Sequence, residues 1–226
     1  MIVLADINRL FRSDEVETTA LRSIDLSIEE GEFVAIMGPS GCGKSTLLNT
    51  LGMIDRPTSG RYLFRGQEVT DKGEAELAKM RRDNLGFVFQ SFNLIDELTV
   101  AENVELGLVY RRWAGKDRKA RVEAALDRVG VAHRARHYPH QLSGGQQQRA
   151  AIARAIVGQP SLILADEPTG NLDSENGEQV MEILKSLNRE GATIVMVTHS
   201  PRHADIAQRR IDMLDGRVVI SASRAA

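Results

Sequence analysis

Eight residues, Gly38-Pro39-Ser40-Gly41-Cys42-Gly43-Lys44-Ser45, constrain this chain more than any other stretch. They have the spacing G-x-x-x-x-G-K-[ST], a loop whose glycines let successive backbone N–H groups turn toward phosphate oxygens. The context agrees. Residues 32–37, EFVAIM, form a short apolar run that reads as a buried strand, and residues 44–51, KSTLLNTL, read as the helix that follows. A helix N-terminus adds its partial positive charge to the loop amides. Gly38, Ser40, Gly41, Cys42 and Gly43 are therefore candidate loop contacts. Lys44 is the candidate for the β- and γ-phosphates, the Ser45 hydroxyl for Mg²⁺, and Thr46 for the α-phosphate. Only 6 of the 29 basic residues are lysines, and Lys44 is one of them. Cys42 occupies a variable position of the motif and reads as tolerated there, with a helix-start setting that favours alkylation.

The pattern around the loop predicts an α/β fold. Apolar runs at 85–89, 161–165 and 193–198 lack alternation and are separated by helical stretches, as expected of a mostly parallel sheet covered on both faces. The first thirty residues and 60–69 alternate more and predict an antiparallel side sheet. Between Gln90 and Gln159 the pattern changes to helices at 99–111, 116–129 and 144–157. The expected organisation is thus one domain, 1–226, with a core of about 1–90 and 160–226 and an inserted helical subdomain of about 91–159.

Composition excludes several classes. Lys+Arg 29 against Asp+Glu 31 leaves a net charge of −2, which gives no electrostatic reason to expect nucleic acid. One cysteine makes neither an internal disulfide nor a cysteine-based metal site, in keeping with a reducing, cytoplasmic compartment. An acid at Asp6 interrupts any signal-peptide pattern, and no uncharged apolar run approaches the ~18 residues that span a bilayer.

A second acidic element matches the phosphate loop. The run Leu162-Ile163-Leu164-Ala165 ends in Asp166 and Glu167. Parallel strands present ligands at their carboxyl ends, so Asp166 is the expected Mg²⁺ holder and Glu167 the expected general base. A third element, Leu142-Ser143-Gly144-Gly145-Gln146, places a Ser and two Gly at a helix start, which is a second phosphate-binding device. Plain helix capping by Ser143 would explain the serine but not the pentapeptide.

This pentapeptide, with the phosphate loop and the acidic strand end, resembles the ABC transporter ATPases, a P-loop NTPase family. The similarity extends over about residues 2–219. It implies a head-to-tail homodimer holding two ATPs, each between the phosphate loop of one subunit and Ser143, Gly144, Gly145 and Gln146 of the other. It also implies an ATPase with ATP and Mg²⁺ as ligands, driving a separate integral membrane permease from the inner face of the cell membrane. By the same resemblance Gln90 is the Q-loop glutamine, touching Mg²⁺ and the lytic water. Asp173, in Gly170-Asn171-Leu172-Asp173, is the D-loop acid that communicates across the dimer. His199 is the switch histidine on the γ-phosphate, and Phe11 the aromatic on adenine. The D-loop departs from the commoner Ser-Ala-Leu-Asp, which puts the family's subunit-crossing serine bond in doubt. His133, His137, His140 and His203 read as surface or packing residues. Pro57-Thr58-Ser59-Gly60, Phe92-Asn93-Leu94-Ile95 and Pro168–Asp173 narrow the resemblance to the lipoprotein-release, macrolide-exporter and cell-division ATPases.

The segment 91–99, with Phe92, Leu94, Ile95 and Leu98, is a candidate groove for a permease helix, with lobe core as the alternative. The basic run Arg111, Arg112, Lys116, Arg118, Lys119 and Arg121 reads as a solvated helical face, or else a face toward anionic headgroups. The competing function is a soluble ABC ATPase acting on nucleic acid or ribosomes; such chains usually carry coiled-coil insertions or tandem cassettes, and this one has neither. A P-loop kinase or GTPase would leave residues 142–146 unexplained.

Overall fold

The computed structural model describes residues 1–12, 17–109 and 115–223, and the chain divides into two compact units. Arg111 and Arg112 lie outside the described residues, as does the end of the helix expected at 99–111.

The first unit comprises 1–81 and 193–226. Its side sheet contains β1 (Ile2–Arg12), β2 (Glu17–Ile28), β4 (Ser59–Phe64) and β5 (Gln67–Glu68), all antiparallel in the order β2-β1-β4-β5. Alternation puts Ile2, Leu4 and Ile7 of β1 and Leu21, Ile24, Leu26 and Ile28 of β2 in the core. Asp6 and Ser23, both with positive φ, sit where the β1–β2 register shifts. Side chains hold these irregularities: Asp25 accepts from the Asp6 N–H at 2.9 Å, and the Asn8 carbonyl side-chain oxygen accepts from the Ser23 N–H at 2.8 Å.

Against this sheet lie β3 (Phe33–Met37), β8 (Thr193–Val197), β9 (Arg209–Leu214) and β10 (Arg217–Ser223), in the order β10-β9-β3-β8. β3 runs parallel to both β8 and β9, and every residue of β3 and β8 is buried. That double burial explains their continuous apolar sequence. Helix α1 (Lys44–Leu51) follows β3 through the phosphate loop. Its far end is fastened to the side sheet, because the fully buried Tyr62 donates its hydroxyl to the Leu51 carbonyl at 2.7 Å. Burial pushes the Tyr62 phenol far above its ordinary pKa. Helix α2 (Glu74–Asn84) contributes Arg81, whose guanidinium donates to the Met53 carbonyl just beyond α1.

The second unit comprises 82–192. It holds the parallel pair β6 (Leu85–Phe89) and β7 (Leu162–Asp166), with helices α3 (Val100–Glu105), α4 (Gly115–Arg128), α5 (Gly144–Ile156) and α6 (Ser174–Arg189). The alanine-rich α5 buries Ala150, Ala151, Ile152 and Ala153 and packs on α3, α4, α6 and β6. Helix α3 is shorter than the sequence predicts. A Thr99–Glu102 capping box starts it, but the chain tightens into a 3₁₀ turn at Leu106–Leu108, where Gly107 lies against the Arg154 carbonyl. β6 and β7 pair with each other, β6 packs on α5, and both strands fall in this unit with the helices.

Candidate functional site

In the first unit the phosphate loop connects the buried strand β3 to α1. Gly38 has φ +153°, and a Cβ there would strike the Met213 carbonyl, so the loop can run this close to β9 only with glycine. Lys44 is 6% exposed, and its ammonium donates to the carbonyls of Gly38 (3.0 Å) and Pro39 (2.8 Å). The loop therefore curls around a buried positive charge. Gly43 caps α1 without a side-chain acceptor, which leaves its first-turn amides to the loop interior. Cys42 is buried, with Sγ 4.0 Å from Lys44 Nζ. Ser45 is exposed and Thr46 half-buried beside it. The Ser45 hydroxyl suits a Mg²⁺ carried on phosphates, since that ion keeps most of its ligands as water and phosphate oxygen.

His199 lies two residues past the end of β8 and is exposed. Because β3 and β8 are parallel with Ile36 opposite Val197, His199 and Gly38 emerge at the same edge of the sheet. Phe11 is not core. It is 40% exposed on β1, with the Arg9 guanidinium 4.4 Å from its ring centroid.

In the second unit Phe89 is paired with Asp166, so Gln90 and Glu167 emerge side by side in sequence register at the ends of β6 and β7. Asp166 and Glu167 are half-buried, and Glu167 has φ +46°, a left-handed conformation that a non-glycine residue adopts at a cost. Gln90 exchanges two hydrogen bonds with Asn171: its Nε2 donates to Asn171 Oδ1 at 3.2 Å, and Asn171 Nδ2 donates to the Gln90 main-chain carbonyl at 3.0 Å. The departure from Ser-Ala-Leu-Asp thus has a local role, because Asn171 ties the 170–173 turn to the end of β6.

Ser143 caps α5 in a reciprocal box with Gln146. The serine Oγ accepts from the Gln146 N–H at 3.4 Å, and Gln146 Oε1 accepts from the Ser143 N–H at 3.1 Å. Gly144 and Gly145 keep the first turn bare of side chains. Gly145 is also required sterically, since a Cβ would collide with the Asn176 side-chain amide. Asn176 donates that amide to both carboxylate oxygens of Asp173, at 3.1 and 2.8 Å. Asp173 caps α6, and the Asn176 backbone and side-chain N–H groups hold its carboxyl below the ordinary range.

Sequence reasoning missed several positioning residues. Arg154 donates to the carbonyls of Phe92 (2.8 Å) and Asn93, two consecutive residues with positive φ. Asn103, fully buried, donates to the carbonyls of Ile95, Leu98 and Thr99 and accepts from the Ile95 N–H. Asn171 lies within Gly170–Asp173 and Gln148 two residues past the pentapeptide, but nothing in their spacing assigns them partners. The groove residues are not lobe core: Ile95 is 43% exposed, and Phe92, Leu94 and Leu98 are half-buried. Nearby, Phe87, Phe89, Asn93, Leu106 and Arg154 line a pocket of about 380 Å³, with the Phe87 and Phe89 rings stacked at 5.8 Å.

Comparison with known proteins places these elements in a family. The family model described as ABC transporter matches residues 21–170. The macrolide export ATP-binding/permease protein MacB of Azoarcus sp. (strain BH72) is 52% identical over 219 residues, covering 97% of this chain and 33% of that protein. The uncharacterized ABC transporter ATP-binding protein YknY of Bacillus subtilis is 48% identical and covers 99% of this chain and 97% of its own length. The chain thus spans about a third of the macrolide export protein and nearly all of YknY. Among solved structures, the ATP-binding cassette MJ0796, a dimer in a post-hydrolysis state bound to ADP and Pi, superposes with a TM-score of 0.92 at 46% identity over the whole of both chains. The chain belongs to the ABC transporter family. It is an ATPase cassette with the P-loop NTPase fold, and its relatives are consistent with the lipoprotein-release and macrolide subfamily.

Proposed function

We propose that this chain is the ATP-hydrolysing subunit of a transport or mechanotransmission system, dimerising around two ATPs to move a separate membrane permease. The observation that carries it is the buried Lys44 ammonium, held on loop carbonyls at an uncapped helix start. Lys44 and the amides of 38–46 would take the β- and γ-phosphates, exchanging carbonyl partners for phosphate oxygens of opposite charge. Ser45 and Asp166, with Gln90, would hold Mg²⁺, which supplies neutralisation of the phosphate charge when bound. Glu167, on a left-handed backbone, would accept a proton from the attacking water. His199 would donate to the γ-phosphate oxygens, and Phe11 would stack on adenine. Ser143, Gly144, Gly145 and Gln146 would close on the partner's ATP, offering the amides of α5. Asp173 would report that closure to the other subunit.

Binding energy from the second surface favours the closed pair, and loss of the γ-phosphate removes that attraction. The permease would take up this motion on the 91–99 segment and the adjoining aromatic pocket. Among the described residues no helix is long and apolar enough to cross a membrane. We place the chain in the cytoplasm, peripheral on the inner face of the cell membrane through its permease. The division into a core of about 1–90 and 160–226 and a helical subdomain of about 91–159 belongs to the same proposal. Glu167→Gln tests it: the variant should lose turnover and form an ATP-dependent dimer on a sizing column. A normal rate in that variant overturns the base assignment. Recovery from membranes with a multi-span permease supports the transport role, and recovery only with ribosomes or nucleic acid contradicts it.

A further inference from the structure

We infer that Gln148 is a positioning residue for hydrolysis, a single buried amide on α5 that sets both the residue before Gln90 and the residue after Glu167. This rests on the proposed roles of Gln90 and Glu167. Gln148 is fully buried in the second turn of α5. Its Nε2 donates to the Phe89 carbonyl at 3.3 Å and to the Pro168 carbonyl at 2.6 Å. Phe89 directly precedes Gln90, and Pro168 directly follows Glu167.

The β6–β7 ladder fixes the two strands as far as the Phe89–Asp166 pair. Beyond that pair the ladder ends, and Gln148 takes over. Both N–H groups of one planar amide are used, so the two carbonyls are held at a set separation. Moving one flank without the other breaks a bond. The Gln90–Asn171 exchange continues the link, one residue past Phe89 and three past Pro168.

The remaining atom argues against a purely structural role. Gln148 Oε1 is buried and has no hydrogen-bond partner among the described residues. An orphaned buried acceptor opposes folding, and it offsets much of what the two donor bonds contribute. Methionine or leucine would fill the same space without that cost. An amide at this position is explained by where it holds the two carbonyls. The same helix begins with Ser143, so a shift of the signature turn carries Gln148 and both catalytic flanks with it.

Gln148→Met keeps the volume and removes both donors; Gln148→Leu checks that sulfur plays no part. Purified variants should melt at or above the parent temperature and bind a fluorescent ATP analogue with unchanged affinity. Their kcat should fall about tenfold or more at unchanged KM, the signature of an interaction used in the transition state. Parental kcat in Gln148→Met overturns the inference, as does a raised KM with kcat intact. A variant that no longer folds also overturns it, because Gln148 is then structural. Glu167→Gln is measured alongside. If Glu167→Gln stays active, the underlying site assignment has failed; if it is inactive while Gln148→Met is normal, only the positioning role has failed.

Discussion

Replacing Asn103 with Ala removes one side chain that holds four main-chain groups of the 95–99 segment. Asn103 Oδ1 accepts from the Ile95 N–H at 2.7 Å, and Nδ2 donates to the carbonyls of Ile95 (3.0 Å), Leu98 (3.1 Å) and Thr99 (3.0 Å). A hydrogen bond contributes a net ~0.5–1.5 kcal/mol, and some freed groups in this part-exposed segment regain water, so the loss comes to about 3 kcal/mol. For a chain of this size that corresponds to a fall in melting temperature of roughly 6–12 °C. The assay is paired: urea or thermal unfolding of the isolated chain, and ATPase rate with and without the permease. Basal turnover per folded molecule should stay within about twofold, because none of the groups proposed for chemistry lies in 95–99. Stimulation by the permease should fall, because Ile95 and its neighbours lose their fixed positions. An unchanged melting temperature would refute the hydrogen-bond reasoning, and full permease stimulation in a destabilised variant would refute the docking assignment.

Lys44→Ala should fold normally and lose nucleotide affinity in a fluorescent-ATP titration; unchanged affinity contradicts the phosphate-loop assignment. Tyr62→Phe orphans the Leu51 carbonyl and should cost about 1 kcal/mol in urea unfolding. Gly145→Ala should destabilise the chain by forcing the Asn176 amide aside, and a double-mutant cycle with Asn176→Ala should show strong coupling, since removal of Asn176 clears the collision. The depressed Asp173 and Glu102 carboxyls stabilise the fold fully above the ordinary carboxylate range, and lose that contribution as pH falls through their lowered values. Asp173→Asn should therefore flatten the acid limb of a stability–pH profile, which circular dichroism can follow.

Strand and loop chemistry was legible in the sequence because it depends on residue type in a fixed order. Residues 38–45 needed glycine, lysine and a hydroxyl between an apolar strand and a helix, and the structure builds that loop. The acids after 162–165 and the 142–146 pentapeptide were legible for the same reason. Polar side chains that reach across the chain were not. Asn103, Arg154 and Gln148 each hold main-chain carbonyls, and a carbonyl leaves no trace in residue type. Gln148 also occupies an interior helix position where the pattern calls for an apolar residue, so periodicity alone marks it only as out of place. The end of α3 was missed because a six-residue helix gives too few turns for a period to show.

Under the proposed function, each ATP is worked by the phosphate loop of one chain and the Ser143 turn of another. Mixing Lys44→Ala with Ser143→Arg tests it, since a heterodimer of the two contains one site with both halves intact. Each variant should be inactive alone, and the mixture should regain ATP turnover. A mixture no more active than its components, or a Ser143→Arg chain that hydrolyses ATP at the parental rate, would contradict it.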